Sequence, residues 1–202
     1  MYEATGIILA GGAGSRLKGV DKARLVIDST PLIERAVELL RDWFAEVLIV
    51  SNGQRHYEFE RVKLLADEKP NCGPLMGLYT ALKASRHELN LVLACDMPYV
   101  SRKLVQMMME TETSGNYDVV TPVVNGYREP FLAVYHKQAL EIIKRNLDRN
   151  RYKMTGIFEQ MNVGEISEER LRQIDPELKN FININTPEDL EAAQKTWPTN
   201  KI

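Results

Sequence analysis

The stretch Gly6-Ile7-Ile8-Leu9-Ala10-Gly11-Gly12-Ala13-Gly14-Ser15-Arg16-Leu17-Lys18-Gly19-Val20-Asp21-Lys22 decides the fold. Its first five residues form a short apolar run with no polar alternation, the pattern of a strand buried on both faces. The run stops in glycine. Glycines let the main chain approach a ligand closely and turn N–H groups toward phosphate oxygens. Arg16 and Lys22 add positive charge: Arg16 can hold two phosphate oxygens at once, whereas Lys22 acts as a point charge. Two well-known loops do not fit. The dinucleotide pattern begins at Gly12-Ala13-Gly14 but has Leu17 where its third glycine belongs, and the P-loop pattern fails because Ala23 follows Lys22. A third kind of loop, in which glycines wrap a base and phosphates while a distal lysine reaches the phosphates, fits the whole run. The alternative is a glycine-rich turn that binds nothing.

Beyond this loop, apolar runs alternate with helical periodicity. Residues 46–51, 62–66 and 90–95 read as further buried strands, and 117–124 and 131–135 as later ones. Pro31 opens a helix with Thr30 as its expected N-cap, and Leu32, Ile33, Ala36, Val37, Leu40 and Phe44 fall on one face of it. Helices are also expected at 75–84, 104–110, 138–147 and 155–161. A last one follows Thr186-Pro187-Glu188-Asp189, where Thr186 caps, Pro187 suits the first turn and Asp189 completes a capping box. Repeated strand–helix–strand order with continuous apolar strands predicts a mostly parallel sheet covered on both faces. Such sheets take their ligands at the carboxyl ends of the strands, where strand order reverses.

Composition narrows the function classes. In 202 residues, 26 Lys and Arg nearly balance 28 Asp and Glu, so no broad field favours nucleic acid or an anionic membrane. No apolar run approaches the ~20 residues of a membrane helix, and no signal peptide is visible at the start. The two cysteines, Cys72 and Cys95, are too few for a disulfide framework, which predicts a reducing, cytoplasmic setting. His56, His87 and His136 are scattered and form neither a metal spacing nor a triad. Met107-Met108-Met109 reads as core packing.

Several polar residues fall at expected strand ends. Asp96, in Cys95-Asp96-Met97-Pro98, follows a buried strand, where a carboxylate can hold the Mg²⁺ that an NTP requires; it can also cap the turn before Pro98. Asn52, in Ser51-Asn52-Gly53, can hydrogen-bond a base or ribose, or form an Asx-turn. Asp67 follows the third strand, and Gly73-Pro74-Leu75-Met76-Gly77 opens a helix whose first N–H groups face outward. On its own, Asp67 reads as a solvated loop acid. In Phe181-Ile182-Asn183-Ile184-Asn185-Thr186, alternation along an expected strand points Asn183 and Asn185 the same way. Paired amides suit a ring system that both donates and accepts, although sheet-edge and cap bonding is the alternative.

On these residues the chain resembles the molybdenum cofactor guanylyltransferase family. That family carries L-A-G-G, a Ser/Arg turn, D-K and P-L-I-E. They appear here as Leu9-Ala10-Gly11-Gly12, Ser15-Arg16, Asp21-Lys22 and Pro31-Leu32-Ile33-Glu34. Further matches are Asp67 with Gly73-Pro74-Leu75, Cys95-Asp96-Met97-Pro98, and Asn183-Ile184-Asn185-Thr186-Pro187-Glu188-Asp189-Leu190. Gly11, where related cytidylyltransferases have alanine, favours a guanine nucleotide. One departure is Arg16-Leu17-Lys18 in place of the family's R-M-G; Lys18 either joins the phosphate clamp or faces solvent.

The resemblance implies a single Rossmann-like α/β nucleotidyltransferase domain over residues 1–197, with 198–202 as a frayed tail. It implies Mg-dependent transfer of GMP from GTP to the terminal phosphate of molybdopterin, releasing pyrophosphate. Arg16, Lys22 and Asp96 are then the catalytic residues, with Asp96 holding Mg²⁺. Leu9, Ala10, Gly11, Gly12, Asn52, Asp67 and Gly73, together with Lys22 and Asp96, bind the nucleotide; Arg128, Asn183 and Asn185 bind the acceptor. GTP, molybdopterin or the molybdenum cofactor, and cofactor-delivery proteins are the implied partners. Two rivals stand: a cytidylyltransferase or sugar-phosphate nucleotidyltransferase of similar fold, and a non-catalytic nucleotide-binding regulator.

Overall fold

The computed structural model describes residues 1–10, 22–51 and 57–197. Gly11, Gly12, Arg16, Lys18, Asn52 and the expected tail at 198–202 lie outside the described residues. The chain runs β1 (Tyr2–Leu9), β2 (Val26–Ile27), β3 (Thr30–Pro31), α1 (Leu32–Arg41), β4 (Phe44–Ser51), β5 (Val62–Ala66), α2 (Gly73–Ala84) and β6 (Leu89–Ala94). It continues through α3 (Arg102–Thr113), β7 (Val119–Val124), β8 (Tyr127–Arg128), β9 (Leu132–His136), α4 (Leu140–Asp148), β10 (Val163–Ile166), α5 (Glu168–Ile174) and α6 (Pro187–Thr196).

The main sheet has the order β10-β7-β9-β6-β1-β4-β5, with β8 paired to β7, while β2 and β3 form a separate hairpin. β1 is parallel to both β4 and β6, β4 to β5, and β7 to β10; β9 runs antiparallel between β6 and β7. The sheet is therefore mostly parallel, as the apolar runs predict. From β1 the chain steps outward to β4 and β5, then returns to β6 on the other flank of β1. Strand order thus reverses at β1, and the carboxyl ends of β1 and β6 border the crevice where open α/β sheets bind ligands.

Alternate side chains of the strands feed two cores. Ile8, Ile49, Leu91, Leu93 and Val134 pack on one face with Ile33, Val37 and Leu40 of α1 and Leu104 and Met108 of α3. Ile7, Leu9, Leu48, Val50 and Val92 pack on the other with Leu75, Leu78 and Leu82 of α2 and Ile143 of α4. Period-2 alternation sends neighbours to opposite faces, and both faces are covered, so the runs read as continuously apolar. A third, smaller cluster joins Ile27 and Leu32 to Ile184 and Ala193, tying the C-terminal segment to the β2–β3 hairpin.

Five local expectations change. Phe44, expected on the face of α1, lies past the helix end as the first residue of β4. Thr30 does not cap α1; it lies in β3, Pro31 takes the cap position without a side-chain bond, and the Leu32 N–H donates to the Leu25 carbonyl at 2.9 Å. A backbone acceptor from the hairpin thus does the work expected of the Thr30 hydroxyl. Residues Met154–Gln160 form 3-10 turns in place of an α-helix. β10 and α5, not anticipated, extend the sheet past β7 and cover it. The segment holding Asn183 and Asn185 is extended but not a ladder strand: a 3-10 turn at Lys179–Phe181 leads into it, and the Ile184 N–H bonds the Asp96 carbonyl at 2.9 Å. Within it Ile184 is fully buried between the half-buried Asn183 and Asn185, while Ile182 is exposed.

Candidate active site

Three chain segments distant in sequence meet at the mouth of β1 and β6. Beyond β1, Ala10 N–H donates to Val50 O at 2.9 Å, and Cys95 N–H donates to Leu9 O at 3.2 Å. These bonds continue the ladder past the strand ends and fix where Asp96 leaves the sheet. Lys22 opens a 3-10 turn, Lys22–Arg24, anchored by Leu25 N–H on Lys22 O at 3.0 Å. Its ammonium reaches Asp96 Oδ2 at 3.2 Å and Asn185 Oδ1 at 2.7 Å. The Lys22 and Asp96 side chains are only 24% and 19% exposed, so the pair is shielded from much of the screening that weakens surface ion pairs.

Asn185 is held by the start of α6. Its N–H and that of Thr186 both donate to Asp189 Oδ2 at 2.8 Å, while Asp189 N–H donates to Thr186 Oγ1 at 3.1 Å. This is the capping box that the sequence predicts. The Asn185 N–H bond, followed by those from Thr186, holds the Asp189 carboxyl below its ordinary range. The cap therefore fixes both the helix and the backbone from which the Asn185 amide projects.

Asp67 lies on the other flank, past β5, with its N–H on Ser51 O at 3.2 Å. Its Oδ1 lies against Gly77, 3.4 Å from where a Cβ would stand. Burial pushes its carboxyl above the ordinary range. Gly73 opens α2 with φ +66°, a left-handed conformation that glycine adopts without strain, and Cys72 before it gives no side-chain cap.

Arg128 and Asn183 make other contacts. The Arg128 guanidinium pairs with Glu165 at 2.6 and 2.7 Å and lies 5.7 Å over the Phe158 ring. Asn183 donates to Phe181 O at 3.5 Å.

Between β8 and β9, Glu129 lies close enough to Asp96 to feel its charge, a residue to which the sequence assigns no role. Phe131 O accepts from Ala94 N–H at 2.9 Å, so the antiparallel register carries this loop beside the end of β6. Glu129 accepts from Phe131 N–H at 3.0 Å, and the buried Tyr135 hydroxyl donates to Pro130 O at 3.0 Å, fixing the loop from below. Burial, and then the nearby Asp96 charge, raises the Glu129 carboxyl above its usual range. The signal for it is the antiparallel return of β9, which the sequence does not print.

The donors on offer for a cation are hard oxygens: the Asp96 carboxylate, the Asn185 amide oxygen and the Glu129 carboxylate close by. A positive group, the Lys22 ammonium, already bridges the first two. Such a donor set suits Mg²⁺, which takes one or two carboxylates beside phosphates and waters. Among the described residues no three His, Cys, Asp or Glu side chains form a metal-holding group.

The mostly parallel, doubly covered sheet, with Lys22 and Asp96 meeting at its switch point, is the architecture of a nucleotidyltransferase family. Residues 6–163 match the MobA-like NTP transferase domain. A probable molybdenum cofactor guanylyltransferase of Natranaerobius thermophilus is 35% identical over 193 residues, covering 94% of each chain. The molybdenum cofactor guanylyltransferase of Desulfosudis oleivorans is 33% identical over the whole of both chains. The crystal structure of molybdopterin-guanine dinucleotide biosynthesis protein A from Archaeoglobus fulgidus superposes with TM-score 0.83 at 28% identity, covering 95% of this chain and 97% of that one. A 2-C-methyl-D-erythritol 4-phosphate cytidylyltransferase of Thermus thermophilus shares the fold, with TM-score 0.71 at 17% identity over 94% and 96% of the two chains. The chain belongs to the molybdenum cofactor guanylyltransferase family.

Proposed function

We propose that this protein transfers GMP from Mg-GTP to the terminal phosphate of molybdopterin and releases pyrophosphate. The observation that carries the proposal is the meeting of Lys22, Asp96 and Asn185 at the switch point, in a chain related along its whole length to guanylyltransferases. One oxygen of the acceptor phosphate attacks the α-phosphorus of GTP in line with the leaving pyrophosphate. That oxygen is already anionic near neutral pH, so the reaction calls for positioning and charge neutralisation rather than a strong general base. When bound, Mg²⁺ screens the triphosphate charge and polarises its oxygens.

The chain's own residues do the rest. Lys22, and Arg16 from the loop, neutralise the departing phosphates. Asp96, with Glu129 near it, is the carboxylate to hold the cation. Gly11, Gly12, Leu9 and Ala10 line the nucleotide, with Asn52 and Asp67 on the base and ribose side and the α2 N–H groups after Gly73 facing it. Asn183 and Asn185 read the pterin, and Arg128 takes the acceptor phosphate. The proposed setting is the cytoplasm; two cysteines, Cys72 and Cys95, that are not joined in a disulfide accord with a reducing compartment. Among the described residues no helix is long and apolar enough to cross a membrane. Proteins that deliver the labile cofactor are the expected protein partners.

The test is incubation with Mg-GTP and molybdopterin, with mass analysis of the product and a parallel CTP reaction. The guanine dinucleotide and pyrophosphate are expected with GTP. A cytosine product of equal yield points to the cytidylyltransferase reading, and nucleotide binding with no pyrophosphate under any acceptor points to a regulator. Lys22→Ala and Asp96→Ala are each expected to lower turnover by ~10²-fold or more, with melting temperatures within a few degrees of the parent. Parent-like turnover in either variant removes that residue from the mechanism.

A further inference from the structure

The Lys22 ammonium is held by two groups that the reaction needs elsewhere. Asp96 Oδ2, at 3.2 Å, belongs to the cation, and Asn185 Oδ1, at 2.7 Å, belongs to the acceptor side. These contacts span 74 and 163 residues of sequence, so they are products of the fold and not of local chain preference. The Asn185 end is rigid, because its N–H is held by Asp189, itself fixed by the Thr186 cap, and Ile184 N–H is tied to Asp96 O. The Lys22 end is a four-carbon stem that can swing. The Asp189 carboxylate, one turn into α6, adds negative charge on the same side.

We infer that Asn185 is a positioning residue for the nucleotide step: in the free protein it parks the Lys22 ammonium away from the triphosphate, and nucleotide binding draws Lys22 off it. Three consequences follow from that exchange. The Lys22–Asn185 bond is broken each time nucleotide binds, so it weakens nucleotide affinity in the resting protein. Departure of Lys22 releases Asp96 for the cation and the Asn185 oxygen for the acceptor in one movement. The acceptor side is therefore completed after the nucleotide has bound, which imposes an order on the two substrates. The inference rests on Lys22 being the phosphate cation of the proposed function.

Calorimetric titration of Mg-GTP into the full chain tests it. Asn185→Ala and Asn185→Ser both shorten the side chain beyond reach of Lys22 but keep the N–H that Asp189 holds, so the α6 cap survives; thermal melts confirm folding. Both variants are expected to bind Mg-GTP about three- to tenfold more tightly than the parent, the range left by one charge-assisted hydrogen bond discounted for its partial exposure. The gain should vanish in a Lys22→Gln background, because the interaction energy of a double-mutant cycle isolates the pair. Unchanged or weaker binding in the Asn185 variants overturns the inference, as does a gain that persists without Lys22. A parent protein that binds no Mg-GTP sinks the functional proposal itself, a result distinct from a parent that binds and an Asn185→Ala variant that binds no better.

Discussion

At Asp67 the burial that shapes the nucleotide flank works against the side chain's own charge. Its carboxyl is pushed up by desolvation. The folded state therefore holds the proton more tightly than the unfolded chain does, and stability falls as pH rises through and above the ordinary Asp range. Asp67→Asn removes the penalty while keeping shape. At neutral pH it is expected to raise stability by on the order of 0.5–1 kcal/mol after discounting for partial exposure, roughly 1–3 °C in melting temperature. The gain should shrink as pH is lowered toward 4, because a protonated Asp67 already resembles the amide. Melts of both proteins across this range check the sign, and a gain that grows on acidification contradicts it. Nucleotide affinity is expected to fall in the same variant, the usual trade where a destabilised residue serves a site. Asp67 was legible in sequence as an acid after a strand; its burial was not, because that depends on Gly77 of α2 leaving room for it.

Among the elements, legibility follows range. The capping box of α6 is written in four consecutive residues and appears as read. The strands β1, β4, β5 and β6 announce themselves by apolar runs, since each is judged against its own neighbours in sequence. The Thr30 cap failed because its competitor, the Leu25 carbonyl, arrives through a hairpin fold-back. β10 escaped because four residues, Val-Gly-Glu-Ile, are too short for a period, and its pairing to β7 crosses some forty residues of chain. In the extended Asn183–Asn185 segment only Ile184 is buried, and the exposed Ile182 breaks the strand pattern that its spacing suggests.

The α6 cap also carries its own prediction. Thr186→Ala leaves the Asp189 N–H without its side-chain acceptor and is expected to cost about 1 kcal/mol, or roughly 2–4 °C, with Thr186→Ser recovering most of it. Equal melting of the alanine and serine variants speaks against the cap as a stabilising element.

Across the whole molecule, the site depends on a C-terminal return that the main sheet does not itself require. The two large cores lie on the sheet faces, whereas the small third cluster of Ile27, Leu32, Ile184 and Ala193 binds α6 to the hairpin that follows Lys22. Around that cluster, Trp197 closes the attachment. Its ring centroid lies 4.9 Å from that of Tyr99, and the Arg35 guanidinium lies 4.2 Å over it. Tyr99 OH reaches Ala193 O at 3.4 Å, and Gln194 Nε2 reaches Val26 O at 3.2 Å. Arg35 in turn donates to Ile27 O, so one cation links α1, the hairpin and the end of α6.

Trp197→Ala removes an aromatic pair and a cation–π contact, together about 1–2 kcal/mol. Because α6 buries only Ala193 among its ten residues, that loss is a large share of what holds it. The loosening should therefore be local. Amide hydrogen exchange is expected to quicken in α6 and across residues 22–31, while the amides of β1, β4 and β6 keep their protection. Acceleration spread evenly over the sheet would mean that α6 belongs to the main folding unit. Unchanged exchange in α6 would mean that the Ile184–Ala193 cluster suffices without the Trp197 clasp.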